Sequence, residues 1–154
     1  MSALGTKLVT DNRKARFEYE LLEKFEAGLV LRGTEVKSLR DGKLNLTAAY
    51  CKLDMSGAVY LHDAHIAPYT QGNRTNHDPL RPRKLLLHKQ EINRLIGKVR
   101  EKGLTLVPTK VYFKRGKAKV EIALAKGKKI HDKRESIKKR DQDRDARREI
   151  RSMH

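Results

Sequence analysis

Apolar and polar residues alternate in the first part of the chain. Phe17, Tyr19 and Leu21 are separated by glutamates, and a period of two is typical of a half-buried β-strand. The pattern predicts one strand over residues 17–25 and a second strand over residues 27–31.

Two pairs of apolar runs predict β-hairpins. Residues 50–54 and 58–63 flank a short loop that contains a glycine, as in a hairpin with a loop of a few residues. Residues 107–113 and 117–125 alternate over longer stretches, and a tight turn at Arg115 and Gly116 joins them. One face of this longer hairpin is apolar, and lysines lie on the other.

Helical spacing occurs in two places. Val36 and Leu39 lie three residues apart between two glycines, which predicts a short helix within residues 33–42. Further along, apolar residues recur at the spacing of one helical face and predict a helix over residues 89–102, with Gly103 as its C-terminal cap.

The remaining stretch predicts irregular structure. Residues 67–83 contain three prolines and no apolar period, which is typical of a long loop. About six short strands with two or three helices then predict a mainly β fold. The predicted architecture is a small antiparallel barrel of the oligonucleotide-binding type.

Charge divides the 154-residue chain into two parts. The chain has 36 Lys and Arg against 19 Asp and Glu, a net charge of +17, of which +11 lies in residues 1–125 and +6 in residues 126–154. The last segment has few and widely spaced large apolar residues, so it cannot bury enough surface to fold alone. Its opposite charges nevertheless recur at helical spacing. We therefore expect a folded domain over residues 1–125 and a basic tail that is disordered when free and helical when bound.

Several classes of protein are disfavoured by the sequence. The chain has no apolar run long enough to span a membrane and no secretory signal at its start, which predicts cytoplasmic residence. Its one cysteine, Cys51, cannot form an intramolecular disulfide, and we expect a buried thiol. His62 and His65 lack further metal ligands nearby, and no phosphate-binding glycine motif is present. We expect no enzyme activity, no cofactor and no metal.

Basic side chains are the remaining candidates for function. Lysine and arginine that neutralise phosphates bind nucleic acid without reading its sequence, although a solvated basic face is the ordinary alternative for any one patch. Only eight aromatic residues are present, so a structured RNA is favoured over a stacking platform for a single strand. The candidates are Lys110, Lys114, Arg115, Lys117 and Lys119 on the last hairpin and Arg81, Arg83 and Lys84 after the loop.

Three segments of the sequence resemble one bacterial family. These segments are NRKARFEYELLEKFEAGLVLRGTEVKSLRDGK at 12–43, RPRKLLLHKQEI at 81–92 and AKGKKIHDKR at 125–134. They are long and collinear, and they resemble the SsrA-binding protein (small protein B) family, the partner of transfer-messenger RNA. The resemblance implies an adapter that binds the tRNA-like domain of this RNA and delivers it to stalled ribosomes for trans-translation.

The resemblance also implies roles for individual residues. It assigns RNA contacts to Glu26, Leu86 and Lys119, and the RNA-contacting set predicted here further contains Asn12, Arg13, Lys14, Arg83 and Lys84. It implies that Gly127 is a flexible joint and that the tail reaches the 16S rRNA decoding centre and the empty mRNA channel. The tail residues expected there are Gly127, Lys128, Lys129, His131, Asp132, Lys133 and Arg134. A monomer, one per transfer-messenger RNA, is expected.

Two other functions stay open at this point. A constitutive ribosomal protein is also small and basic, and it is the main alternative. A metal-dependent or RNA-modifying enzyme would require turnover that is lost on mutation of His62 or His65.

Overall fold

A computed structural model describes residues 6–54, 56–69 and 76–128 of the chain. In this part the fold is mainly β, as the sequence predicts. In chain order, its elements are β1 Thr6–Asp11, α1 Arg13–Glu18, β2 Tyr19–Leu29, α2 Gly33–Arg40, β3 Leu44–Asn45, β4 Tyr50–Leu53, β5 Val59–His62, β6 His65–Ile66, β7 Arg83–Leu86, α3 Lys89–Lys102, β8 Thr105–Lys114 and β9 Lys117–Gly127.

Six of these strands form a closed ring. Neighbouring strands pair in the order β8-β4-β5-β7-β2-β9, and β9 pairs again with β8. The pairs within the ring are antiparallel, β1 adds to the free side of β8, and the short strands β3 and β6 pair separately. A ring leaves few free sheet edges, which explains how strands this short form a stable sheet.

The inside of the ring is the main hydrophobic core. Alternate residues of each strand point inward, and Val111, Val120 and Ile122 are completely buried there. Leu39 of α2 and Leu95 of α3 complete the same core, so both predicted amphipathic helices pack with their apolar faces on the ring.

A second, smaller cluster lies on the outside of the ring. Ala15 of α1 packs with Val107 and Ala125, and Tyr19 and Leu21 flank them. The outward face of β9 therefore changes along its length, since α1 covers the end near Ala125. Alternation along β9 places Ala125 on the same side as Lys119, and α1 is the reason that Ala125 is buried.

The sequence predictions for the N-terminal strands are wrong in their boundaries. Residues 13–18 form α1, and the two strands predicted over 17–25 and 27–31 are one continuous strand, β2. A β-bulge between Leu21 and Glu23 shifts the register of β2 against β9. Both predicted hairpins, the helix within 33–42 and the helix over 89–102 are confirmed.

Arg83 contradicts its predicted role as an RNA contact. Its side chain is fully buried and pairs with the fully buried carboxylate of Glu35 on α2, with Nε 2.7 Å from Oε2 and Nη2 2.6 Å from Oε2. The remaining N–H groups donate to the backbone carbonyls of Ala64, Pro79 and Asp78. Arg83 is therefore a structural residue that ties α2 and the segment before β7 to the ring.

Asn12 is likewise a structural residue. It is 6% exposed, and its Oδ1 accepts a hydrogen bond from the backbone N–H of Ala15 while its Nδ2 donates to the carbonyl of Pro108 at 2.9 Å. The side chain thus caps α1 and attaches it to β8. The same Nδ2 also donates to the carbonyl of Leu46 at 3.4 Å, so both of its hydrogens are used and this prediction also conflicts with the structure.

The last strand continues past the predicted end of the domain. Gly127 pairs with Tyr19 in the ladder between β9 and β2, and the backbone N–H of Lys128 donates to the carbonyl of Glu18 at 3.0 Å. The strand therefore includes the residue that was expected to be a joint. The predicted tail contacts from Lys129 to Arg134 lie outside the described residues.

Candidate nucleic-acid interface

Strand register places five residues in one row on the outside of the ring. Each is the cross-strand partner of the next, from β1 through β8, β9 and β2 to β7. The residues of this row are Leu8, Tyr112, Lys119, Gly28 and Leu86. Their neighbours Val111, Val120 and Ala27 point into the core, which fixes the row on the outer side.

Glu26 lies beside this row, and together they form what we call the Lys119 face. Glu26 is two residues from Gly28 on β2, and its cross-strand partner on β9 is Glu121, two residues from Lys119. The Lys119 face is thus defined by Leu8, Glu26, Gly28, Leu86, Tyr112 and Lys119. The fold therefore brings Glu26, Leu86 and Lys119 together, although 60 and 93 positions separate Glu26 from the other two along the chain.

The carboxylate of Glu26 is held by its neighbours. The Tyr112 hydroxyl donates a 2.5 Å hydrogen bond to Oε2, and Nζ of Lys114 lies 3.5 Å from the same oxygen. The Tyr112 hydrogen bond is the main cause that lowers the pKa of Glu26, and the charges of Lys114 and Lys119 add to it. Burial and the nearby carboxylate raise the pKa of Tyr112. Glu26 is consequently ionised at neutral pH and acts as an acceptor among basic groups.

Leu86 gives the face an exposed apolar contact. It is 56% exposed on β7, opposite Gly28. A Cβ at Gly28 would lie 3.3 Å from the Cβ of Leu86, which is closer than ordinary packing allows. Glycine at this position therefore lets the side chain of Leu86 pack close to the backbone of β2. This packing keeps a groove open beside Lys119.

That groove continues to the turn of the last hairpin. An open cavity of about 380 Å³ is lined by Leu86 and Lys119 on one side and by Gly116 and Lys117 at the turn. Arg115 and Gly116 both have positive φ, at 52° and 77°, as this tight turn requires. The groove thus has an apolar floor and a basic rim, which suits a base or ribose beside a phosphate.

Lysines surround the face. Lys114 and Lys117 are exposed, and they are cross-strand backbone partners next to the turn of the hairpin. Nζ of Lys110 lies 5.7 Å from the ring centroid of Tyr112. These side chains were predicted from charge alone. Tyr112 was not predicted as a site residue, because alternation placed it on the lysine-bearing face without indicating that its hydroxyl reaches Glu26.

The remaining predicted contacts lie elsewhere. Lys84 is exposed on β7, two residues before Leu86, so it extends the face along that strand. Arg13 and Lys14 are exposed on α1, which covers the far end of β9, and Lys14 pairs with Glu18 at 3.9 Å. The structure therefore does not place the α1 residues on the Lys119 face.

Other kinds of site are not indicated by the described ranges. In these ranges, no group of three or more His, Cys, Asp or Glu side chains is arranged to hold a metal ion. Cys51 is buried, and burial raises the pKa of its thiol far above the usual range. No helix in the described residues is long and apolar enough to cross a membrane.

Comparison with known proteins gives consistent matches over nearly the whole chain. A family model described as SmpB protein matches residues 9–152. The SsrA-binding protein of Desulforudis audaxviator (strain MP104C) is 60% identical over 145 residues, 94% of each chain. That of Carboxydothermus hydrogenoformans (strain ATCC BAA-161 / DSM 6008 / Z-2901) is 55% identical over 148 residues, 96% of this chain and 99% of the relative.

A solved structure agrees with these matches. It is described as "tmRNA-SmpB: a journey to the center of the bacterial ribosome", and one of its chains is 53% identical, with a TM-score of 0.67. The match covers 83% of this chain and 93% of that chain. The fold, the collinear sequence and the family match over residues 9–152 lead to one conclusion: this chain belongs to the SmpB family.

Proposed function

We propose that this chain binds the tRNA-like domain of transfer-messenger RNA through the Lys119 face and delivers that RNA to stalled ribosomes for trans-translation. The observation that carries the proposal is the convergence of Glu26, Leu86 and Lys119 on one outer face of the ring. Relatives of this chain are named SsrA-binding proteins, and resemblance to that family implies transfer-messenger RNA as the partner.

Each of the three side chains supplies a different contact with a folded RNA. The ammonium of Lys119 neutralises a phosphate and releases counterions. Leu86 offers an apolar surface against a base or the sugar, and the ionised carboxylate of Glu26 accepts from a 2′-hydroxyl or an exocyclic amine. Since RNA stems are recognised mainly by shape and backbone, a small face of this kind is sufficient to orient one stem.

The C-terminal segment has the second task in this proposal. Its net charge of +6 attracts it to ribosomal RNA, and residues Gly127 to Arg134 lie in the decoding centre while the rest follows the empty mRNA channel. A channel that holds intact mRNA excludes the segment, so steric exclusion restricts the protein to stalled ribosomes. The proposed location is the cytoplasm, and one copy acts per transfer-messenger RNA.

In this role the protein is an RNA-binding adapter, and it makes or breaks no covalent bond. A constitutive ribosomal protein would need no face for a tRNA-like RNA, so the Lys119 face favours the adapter.

The test is to sequence the RNA that co-purifies with the tagged full-length chain. We expect strong enrichment of one tRNA-like species over bulk ribosomal RNA, and loss of that enrichment in Lys119→Ala. Lys89→Ala on α3 is the matched control, because it removes the same charge from an exposed position outside the Lys119 face. Recovery of ribosomal RNA alone, in stoichiometric amounts and in high salt, would refute the adapter.

A further inference from the structure

The outer face of β4, β5 and β7 carries a second cluster of aromatic and basic side chains. Tyr50 pairs with His62 across β4 and β5, while Tyr60 has a lysine as cross-strand partner on each side. We call this cluster the aromatic–lysine face, and its residues are Tyr50, Lys52, Tyr60, His62 and Lys84. The alternate residues Cys51, Val59 and Leu61 are buried in the core, so the five side chains lie on the outside of the ring.

The three rings of this face form a compact group. The ring centroids of Tyr50 and His62 are 5.2 Å apart at an interplanar angle of 11°, a stacked pair. The ring of Tyr60 lies 6.5 Å from that of His62 and is tilted by 55°. Tyr50 is 41% exposed. Composition argues against a stacking platform because aromatic residues are few, but two of the eight, Tyr50 and Tyr60, lie on adjacent strands together with His62.

Positive charge on this face is not compensated by carboxylates. Lys52 and Lys84 are exposed, and within the ranges that the structure describes neither ammonium forms an ion pair. The acidic residue nearest to Lys52 in sequence is Asp54, and the one nearest to Lys84 is Asp78. Oδ1 of Asp54 accepts hydrogen bonds from the backbone N–H groups of Ser56 and Ala58, both at 2.9 Å, so it is used within the hairpin loop.

The rings of the aromatic–lysine face lie away from the Lys119 face, and Lys84 on β7 borders both faces. In the ring order β8-β4-β5-β7-β2-β9, strand β5 is three steps from β9 in either direction. Tyr60 on β5 therefore lies as far round the ring from Lys119 on β9 as the strand order allows. The rings of Tyr50, Tyr60 and His62 lie on β4 and β5, which carry no residue of the Lys119 face.

We infer that the aromatic–lysine face binds an unpaired segment of ribosomal RNA at the same time as the Lys119 face holds the tRNA-like RNA. The inference rests on the proposed function, which gives the chain two RNA partners. Exposed aromatic rings stack on unpaired bases, and flanking lysines neutralise the adjacent phosphates. A position opposite the first site assigns this surface to the second RNA and not to another part of the first.

The test uses the full-length chain and a hexauridylate that carries one 4-thiouridine as probe. The probe is photocross-linked with and without saturating tRNA-like RNA, and the modified residues are mapped by mass spectrometry. We expect cross-links at Tyr50 or Tyr60 that persist when the tRNA-like RNA is bound. Binding of the tRNA-like RNA is measured in the same samples, so failure of this inference is distinguishable from failure of the proposed function.

Variants test the stacking directly. The double variant Tyr50→Leu with Tyr60→Leu keeps apolar bulk but removes both phenol rings, and we expect about tenfold weaker probe binding at this face. Lys52→Gln, an exposed change that leaves the core untouched, is expected to lower the same cross-link yield. Tyr69→Leu is the matched control, since that ring contacts Lys37 and lies outside the face.

Three results would overturn the inference. Cross-links confined to residues 126–154 would place the probe on the basic C-terminal segment. Displacement of the probe by tRNA-like RNA would assign the face to that RNA. Unchanged cross-linking in both the tyrosine double variant and Lys52→Gln would remove the role of the rings and of the charge.

Discussion

The hydroxyl of Tyr112 on β8 and the carboxylate of Glu26 on β2 are joined by a 2.5 Å hydrogen bond that passes over the intervening strand β9. Lys119 lies on that intervening strand, directly opposite Tyr112 in the ladder. The bond therefore fixes the acidic acceptor next to the lysine, and it links three strands of the Lys119 face through side chains as well as through the backbone.

Removing the hydroxyl of Tyr112 should remove the hydrogen bond that holds the carboxylate of Glu26. Tyr112→Phe deletes only the hydroxyl, so we expect the pKa of Glu26 to rise toward its ordinary value, because the largest cause of its lowering is lost. Carboxyl chemical shifts followed by NMR against pH measure this change. Tyr60→Phe, which also deletes a phenol hydroxyl, is the control and should leave Glu26 unaffected. An equal pKa in Tyr112→Phe and wild type would show that the bond does not form in solution.

Replacing Lys119 by Ala should weaken binding of the tRNA-like RNA and reduce the slope of log affinity against log salt by roughly one unit. The physical reason is the loss of one phosphate contact and the counterion that it releases. Filter binding at several salt concentrations gives the slope, with Lys89→Ala as the control. A weaker affinity with the same slope would mean that Lys119 acts through a contact other than phosphate.

Gly28 should be required for the shape of the groove. In Gly28→Val the new side chain meets Leu86 at its Cβ, so Leu86 must move and the groove beside Lys119 narrows. We expect the loss of RNA affinity, measured by titration, to be larger than the fraction of unfolded protein can explain. Urea denaturation gives the free energy of unfolding from which that fraction is calculated. Gly33→Val is the control, because a Cβ at Gly33 meets nothing within 4 Å. RNA binding that is equal in both variants would contradict the close approach at Gly28.

Outside the Lys119 face, we expect the largest loss of stability on substitution of the buried pair of Glu35 and Arg83. Glu35→Gln leaves the guanidinium of Arg83 buried without its counterion, and we expect the free energy of unfolding to fall by about 3–5 kcal/mol. Glu18→Gln breaks a surface pair with Lys14 and should cost less than about 1 kcal/mol. Urea denaturation of both variants measures the two free energies of unfolding. Equal losses of stability in the two variants would contradict the burial of the pair of Glu35 and Arg83.

Acid should reduce the difference in the free energy of unfolding between wild type and Glu35→Gln. Burial acts to raise the pKa of Glu35, but hydrogen bonds from Arg81, from the N–H of Arg32 and from Arg83 outweigh it and lower the pKa below its ordinary value of 4.5. A lowered folded-state pKa stabilises the fold fully above the unfolded value, and this stabilisation is lost as the pH falls through the folded value. The gap in stability between wild type and Glu35→Gln should therefore narrow below about pH 4.5. A gap that widens on acidification would reverse this sign.

Truncation should separate the two tasks of the chain. The backbone N–H of Lys128 donates to the carbonyl of Glu18, so the cut belongs after Lys128. We expect the truncated protein to bind the tRNA-like RNA with nearly unchanged affinity and to lose ribosome rescue in a translation assay with mRNA that lacks a stop codon. Loss of RNA binding to the same degree as rescue would refute the division of labour.

Local periodicity was sufficient for much of the fold. The helix over 89–102 was predictable because its apolar spacing repeats over at least three helical turns. The final hairpin was predictable because each of its strands alternates over at least seven residues. The short helix α1 was not, because alternation at Phe17 continues without a break into β2 and six residues give too little helical period.

The site could be predicted only in part, for a related reason. The sequence placed lysines on the last hairpin, and the family resemblance supplied Glu26 and Leu86. Arg83 looked like its basic neighbours Arg81 and Lys84, but its burial depends on Glu35, which lies 48 residues earlier in the chain. The row from Leu8 to Leu86 depends on the register of five strands, which no single segment contains.

One consequence follows from the length of β9. Lys119 and Gly127 lie on the same uninterrupted strand, eight residues apart, which at about 3.3 Å per residue sets them roughly 26 Å from each other. Because a paired strand cannot stretch or shorten, β9 sets a fixed distance between Lys119 and the start of the C-terminal segment. Inserting two residues into this strand would leave each contact chemically intact and yet put the segment in the wrong place relative to the RNA.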